Sequence, residues 1–157
     1  MGLFQTLVHK KPGTNNSGNA GSIEESWAEI MAENNGHPML VKKNLWFDRI
    51  AGNKQYPLNC GIAFQLKYSG KDGFPLMEKE PELVNLEKDL FKLFQSDHNS
   101  VVPIIITTSG FREYVLYTKD LERFATNFAR LKEKYKQYYL TYYYITDEEW
   151  STYKSFK

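Results

Sequence analysis

The stretch Val101-Val102-Pro103-Ile104-Ile105-Ile106-Thr107-Thr108-Ser109-Gly110-Phe111-Arg112-Glu113-Tyr114-Val115-Leu116-Tyr117-Thr118 sets the frame for the rest of the chain. Its two halves are crowded with β-branched and aromatic residues, which fit an extended, pleated backbone better than a helix. Ser109-Gly110 between them is a turn pair, so the stretch reads as two antiparallel strands of one hairpin.

Reading outward toward the N-terminus, Pro81 stands where a first helical residue tolerates a missing N–H. Leu83, Leu86, Leu90, Leu93 and Phe94 then recur at helical spacing through to Gln95. Earlier still, Ile62, Phe64, Leu66 and Tyr68 alternate with Ala63, Gln65 and Lys67, the period-two pattern of a half-buried strand. Toward the C-terminus, Asp120 is placed to cap a helix whose Leu121, Phe124, Ala125, Phe128, Leu131 and Tyr135 form one apolar stripe. Residues 138–145 read as a returning strand. Thr146-Asp147-Glu148-Glu149 has capping-box spacing and opens a short last helix with Trp150 and Tyr153 on one side.

From Gly61 to Ile145 the order is strand, helix, strand, strand, helix, strand. That βαββαβ order predicts an α+β fold of the ferredoxin-like, split-βαβ kind: an antiparallel sheet with two helices on one face. Ahead of it, residues 27–32 and 39–43 flank Asn34-Asn35-Gly36, whose Asn-Gly pair suits a type I′ turn, so a β-hairpin precedes the core and extends or caps its sheet. Residues 45–57 read as a partly buried loop, since Trp46, Phe47 and Ile50 favour burial while Gly52 and Pro57 break regular structure. Residues 12–22 offer almost nothing to bury and read as a linker, which divides the chain into a flexible segment over 1–22 and a single α+β domain over 23–157. The preceding short segment, residues 3–8, either docks as a stray strand or stays mobile.

At 157 residues the chain has the size of one domain that can bury a core without disulfides or metal. Apolar residues make up 41% and charged residues 25%, a globular composition. Twenty basic residues against nineteen acidic give a formal charge of +1, so no global field draws the chain to nucleic acid or an anionic membrane. The single cysteine, Cys60, cannot form an internal disulfide, and no apolar run is long enough to cross a bilayer. These features fit a cytoplasmic protein. Met1-Gly2-Leu3-Phe4-Gln5-Thr6 fits the short myristoylation pattern, which is read as coincidence and the segment as a frayed start.

Chemistry is mostly missing. His9, His37 and His98 are scattered without His or Cys partners at metal-ligand spacing, so no metal and no cofactor are expected. Cys60 lacks a neighbouring base and reads as a small buried hydrophobe. No nucleophile elbow, Walker loop or dinucleotide-binding glycine motif occurs, and Asp147, Glu148 and Glu149 beside Trp150 suit helix capping better than acid–base work. No catalytic residue is assigned, and the chain is not read as an enzyme.

Five tyrosines lie between Tyr138 and Tyr144, and aromatics on a sheet of this topology can stack single-stranded RNA. The central-strand stretches lack the interleaved basic residues and glycines of that mode, however, with only Arg112 between Phe111 and Thr118. Packing or protein contact accounts better for the tyrosines.

Asp72-Gly73-Phe74-Pro75, Leu86-Glu87-Lys88-Asp89-Leu90, Gly110-Phe111-Arg112-Glu113 with Tyr117, and Asp147-Glu148-Glu149-Trp150 with Tyr153 together resemble a bacterial family catalogued as domain of unknown function six-nine-five. The hairpin around Gly36-His37-Pro38 fits its opening, and the resemblance runs over roughly residues 26–156. Members of that family stand alone or joined to a domain similar to the regulator of ribonuclease activity B, which binds and inhibits a ribonuclease. The resemblance thus implies a regulatory or inhibitory binding role by analogy, with a nuclease or toxin as partner, and it carries no catalytic residues. Arg112, Glu113 and Trp150 are the candidate contacts. The alternatives are a small-molecule binder or weak enzyme with a pocket between the N-terminal hairpin, the Trp46-Phe47 loop and the sheet, and a single-stranded RNA binder.

Overall fold

The computed structural model describes residues 26–157 and the backbone of Leu7–Val8. The expected linker over 12–22 and the start of the chain at Met1 to Thr6 lie outside the described residues.

Asn35 and Gly36 both take positive φ, 50° and 81°, and close the first hairpin between β2 (Trp27–Asn34) and β3 (His37–Asn44) as the Asn-Gly pair requires. Ser109 and Gly110, at 51° and 78°, do the same between β5 (Ser100–Thr108) and β6 (Phe111–Thr118). Leu7–Val8, β1, pairs with β2, while β4 (Leu58–Gln65) and β7 (Thr141–Thr146) complete an open sheet in the order β1-β2-β3-β5-β6-β4-β7. Every neighbouring pair is antiparallel. The N-terminal hairpin therefore extends the sheet, through β3 against β5.

Pro103 sits inside a central strand, where its missing N–H would break the ladder. The register between β5 and β6 shifts at this point, between Val101 and Ile104. The shift also reverses the facing: Val102 joins the core on one side of the sheet and Ile104 the core on the other.

Helices α1 (Glu82–Gln95) and α2 (Leu121–Lys134) both cover one face. Leu83, Leu86, Leu90 and Phe94 from α1, with Phe124, Phe128 and Leu131 from α2, bury against Cys60, Ile62 and Phe64 of β4 and Tyr114 and Leu116 of β6. Asp120 caps α2 by accepting from the Arg123 N–H at 2.8 Å. The opposite face carries a second core in which Met39, Val41, Ile104, Ile106, Val115 and Tyr117 pack beneath Phe47, Trp150, Tyr153 and Phe156. Two covered faces explain the continuous apolar run in β5, where simple alternation would have left one face wet.

The structure moves several boundaries, and the strand read from Gly61 through Tyr68 runs instead over Leu58–Gln65. Residues 45–49, expected as loop, form a 3-10 turn opened by the Asn44 side chain, which accepts from the Trp46 N–H. Tyr138 precedes the last strand: its N–H bonds the Tyr135 carbonyl and its hydroxyl bonds the buried Glu80 at 2.7 Å, so the strand begins only at Thr141. Trp150 lies just before the last helix, α3 (Ser151–Ser155), in a left-handed conformation at φ 57°, and not within it. Among the described residues no helix is long and apolar enough to cross a membrane.

Candidate interaction surface

The residues singled out from the sequence fall in three different environments. Arg112 points to the helix face and is buried. Its Nε donates to Thr107 Oγ1 at 3.1 Å, and its Nη1 meets Glu87 Oε2 at 3.4 Å, an oxygen that also accepts from the Tyr114 hydroxyl at 2.8 Å. Glu113, the next residue along β6, faces the other way and is half-buried. Trp150 is 0% exposed and stacks on Tyr117, with ring centres 4.0 Å apart and planes 10° from parallel, while its Nε1 donates to the Tyr56 carbonyl at 3.1 Å. Its ring therefore presents no surface and works as a rivet between the last helix and the sheet.

Asp147 holds that rivet in place. It accepts from Tyr117 Oη at 2.7 Å, Ser151 N–H at 2.7 Å and Thr152 N–H at 3.1 Å. Burial alone would raise its pKa, but these donors outweigh burial and hold it below the usual carboxylate range. Burial pushes the Tyr117 hydroxyl up, and the Asp147 charge adds to this. Beside them the Tyr153 hydroxyl reaches Asp48 at 2.8 Å, and the buried Lys43 ammonium donates to the Phe156 carbonyl at 2.8 Å. The acidic triplet is thus anchored as a cap at Asp147, with Glu148 and Glu149 left exposed.

Glu113 behaves differently. The Tyr143 hydroxyl donates to its Oε1 from two strands away, across Gly61 of β4. A Cβ on Gly61 would come within 2.2 Å of the Tyr143 ring, so only glycine lets the ring lie flat over the strand and reach the carboxylate. Burial raises the Glu113 pKa, and the single Tyr143 bond opposes this incompletely.

Tyr143 belongs to the feature that local pattern did not reveal. Among the described residues β7 is the last strand of the sheet, and Thr141-Tyr142-Tyr143-Tyr144-Ile145-Thr146 carries no charge and is exposed along its whole length, Tyr144 at 52% and Tyr139 just before it at 82%. Tyr142 leans onto Phe124 and Phe128 of α2, with ring centres 5.4 and 4.7 Å away. Unprotected edges of this kind are uncommon, because free backbone N–H and C=O groups recruit other strands.

The pocket expected between the hairpin, the Trp46-Phe47 loop and the sheet is filled: Phe47 is 1% exposed and packs against Trp150. A shallow cleft of about 310 Å³ lies on the other face of the hairpin, where Leu40, Lys42, Pro75, Val84, Glu87 and Arg112 are among its walls. Cys60 is buried and its thiol is pushed up to about 11 by burial, and His37 and His98 sit exposed at turns. Among the described residues no group of three or more His, Cys, Asp or Glu is placed to hold a metal ion.

A family model described as a family of unknown function, DUF695, matches residues 25–156. The chain belongs to that family. No curated protein and no solved structure matches it. In this DUF695 protein the residues that carried the resemblance are mainly architectural. Gly73 approaches the second hairpin so closely that a Cβ would meet Ser109 N at 2.7 Å, Glu87 pairs with Arg112, and Asp147 with Trp150 locks the last helix.

Proposed function

We propose that this DUF695 protein is a non-enzymatic cytoplasmic binding module that docks a partner protein along the β7 edge. The carrying observation is the six-residue, uncharged, tyrosine-rich edge strand with every side chain exposed. An extended partner segment adding to such an edge gains main-chain hydrogen bonds, while Tyr142 and Tyr144 on one face and Tyr143 and Ile145 on the other supply apolar contact. The buried Phe47 adds support, since it occupies the place where the competing reading put its ligand. We read the half from β4 to β7 as ferredoxin-like, its strand order β5-β6-β4-β7 with α1 and α2 on one face agreeing with that topology. By analogy with the family's association, the partner is a nuclease or toxin held in check by this contact.

The edge carries no basic residue from Thr141 to Thr146, which favours protein over single-stranded RNA. The cleft beside Arg112 and Glu87 favours the second reading, a small ligand, and is the place to look for one.

The test is affinity purification of the tagged protein from its host, with Tyr144→Lys, Arg112→Ala and Glu113→Ala variants in parallel. A protein recovered in stoichiometric amount by the wild type and lost with Tyr144→Lys supports edge docking. Equal recovery with Tyr144→Lys rules the edge out, and the Arg112 and Glu113 variants then report whether those side chains make the contact.

A further inference from the structure

Resting on the reading of β7 as the docking element, we infer that the edge also pairs with itself: two copies of this chain join antiparallel through β7, making one continuous sheet. The ladder geometry selects a single register. The Asp147 N–H donates inward to the Pro57 carbonyl at 2.8 Å, in step with the pairing of Thr146 with Leu58. In an antiparallel ladder the facing of N–H and C=O alternates along the strand. Thr141, Tyr143 and Ile145 therefore turn their backbone groups inward to β4, and Tyr142, Tyr144 and Thr146 turn theirs outward.

A twofold axis perpendicular to the sheet and centred on Tyr144 places Tyr144 opposite its own copy, and Tyr142 opposite the other copy's Thr146. Every outward-facing residue of the strand then meets an outward-facing partner, each pair able to exchange both N–H···O bonds. Centring on Tyr143 instead would set Thr146 against Leu140, beyond the strand, and leave its backbone groups unmatched. The chosen axis keeps the helices of both copies on the same face, so the sheet twist continues without a clash of layers.

Charge supports the same arrangement. The strand itself has no charge to repel a copy, and its two ends are of opposite sign. Lys132 lies over the ring of Tyr139, 5.8 Å from its centre, at the start of the strand, while Glu148 and Glu149 are exposed just after its end. The antiparallel register sets Tyr139 against the other copy's Glu149, bringing Lys132 of one copy toward the acidic end of the other at both ends of the seam. Lys134 and Lys136 already pair within the chain, with Asp89 and Glu133, whereas Lys132 lies over the Phe128 and Tyr139 rings and has no ion pair among the described residues. The contact is one strand wide, so the expected association is weak and reversible. Because it covers the edge offered to a partner strand, self-pairing competes with partner binding.

Sedimentation velocity on the purified full chain, from micromolar to millimolar concentration, tests this directly. The wild type should move from 18.4 kDa toward twice that mass as concentration rises. Tyr144→Pro removes an outward N–H that the monomer does not use and should remain monomeric throughout. Should that variant fail to fold, the charge variants decide: Lys132→Glu and Glu149→Lys should each weaken association about tenfold, and the double reversal should restore it. A wild type that stays at 18.4 kDa, or a double reversal no tighter than either single one, overturns the self-pairing. That failure is separable from failure of the docking reading, which is judged by whether Tyr144→Lys loses the host partner and uses no measurement of mass.

Discussion

Two tyrosine–carboxylate pairs lie on the same face of the sheet and respond to burial in opposite ways. In the second core, Asp147 takes the Tyr117 hydroxyl and two backbone N–H groups, and its pKa falls despite burial. On the interior strand β6, Glu113 takes, among the described residues, only the hydroxyl of Tyr143 from the edge strand, and burial raises its pKa. The difference lies in the number of donors: three hydrogen bonds outweigh the loss of water around a carboxylate, and one does not. The Asp147 pair is consequently a lock that holds the second core together, while the Glu113 pair, tied to the edge strand through Tyr143, carries a residual electrostatic cost beside the surface assigned to binding.

The comparison breaks most easily at the lock. Trp150 fills space between Tyr117, Phe47 and Tyr153 with nothing above it but protein, so Trp150→Ala should cost about 3–5 kcal/mol in chemical denaturation. A loss below about 1 kcal/mol would mean the last helix does not hold the second core. The same lesion at the edge, Tyr144→Ala, should leave stability within about 0.5 kcal/mol, since that ring is half exposed.

Asp147→Ala should cost about 2 kcal/mol, because it removes the cap of α3 and strands the buried Tyr117 hydroxyl. The sign of its pH dependence follows from the lowered pKa. A carboxylate depressed on folding stabilises above its unfolded value, near 3.9, and loses that contribution as pH falls through the folded value. Denaturation of the variant and wild type at pH 7 and below pH 3 should therefore show the gap narrowing in acid. A gap unchanged by pH would assign the loss to packing alone.

Much of this architecture was legible locally. Asn35-Gly36 and Ser109-Gly110 announced two hairpins through the backbone angles they permit, and Leu83, Leu86, Leu90 and Phe94 announced a helix through its period. What stayed hidden depends on pairing across long stretches of chain. The alternation of β4 was readable, but that β7 would, among the described residues, pair with β4 alone and lie at the rim follows from the strand order of the sheet. Trp150 read as a candidate contact because it stands in one of the motifs that carry the family resemblance, yet Tyr56 and Tyr117, both far away in sequence, bury it. Tyr138 read as strand because it adjoins other aromatics, and Glu80, 58 residues earlier, holds it in the turn.

The Glu113 pair supplies the smallest effect and the clearest test of the comparison. Glu113→Gln keeps an oxygen that can accept from Tyr143 and removes the charge whose burial is unfavourable. A carboxyl group whose pKa rises on folding binds more protons in the folded state within the window above its unfolded value, near 4.3, so stability falls as pH rises through that window. The glutamine variant is spared this loss. It should match the wild type below pH 4 and exceed it at pH 7 by less than about 1 kcal/mol, the reverse of the trend expected at Asp147. Thermal melts of both proteins across that range measure it. A variant less stable than the wild type at pH 7 would show that the ionised carboxylate is stabilised by its surroundings, and would place Glu113 with Asp147 as part of the structural lock.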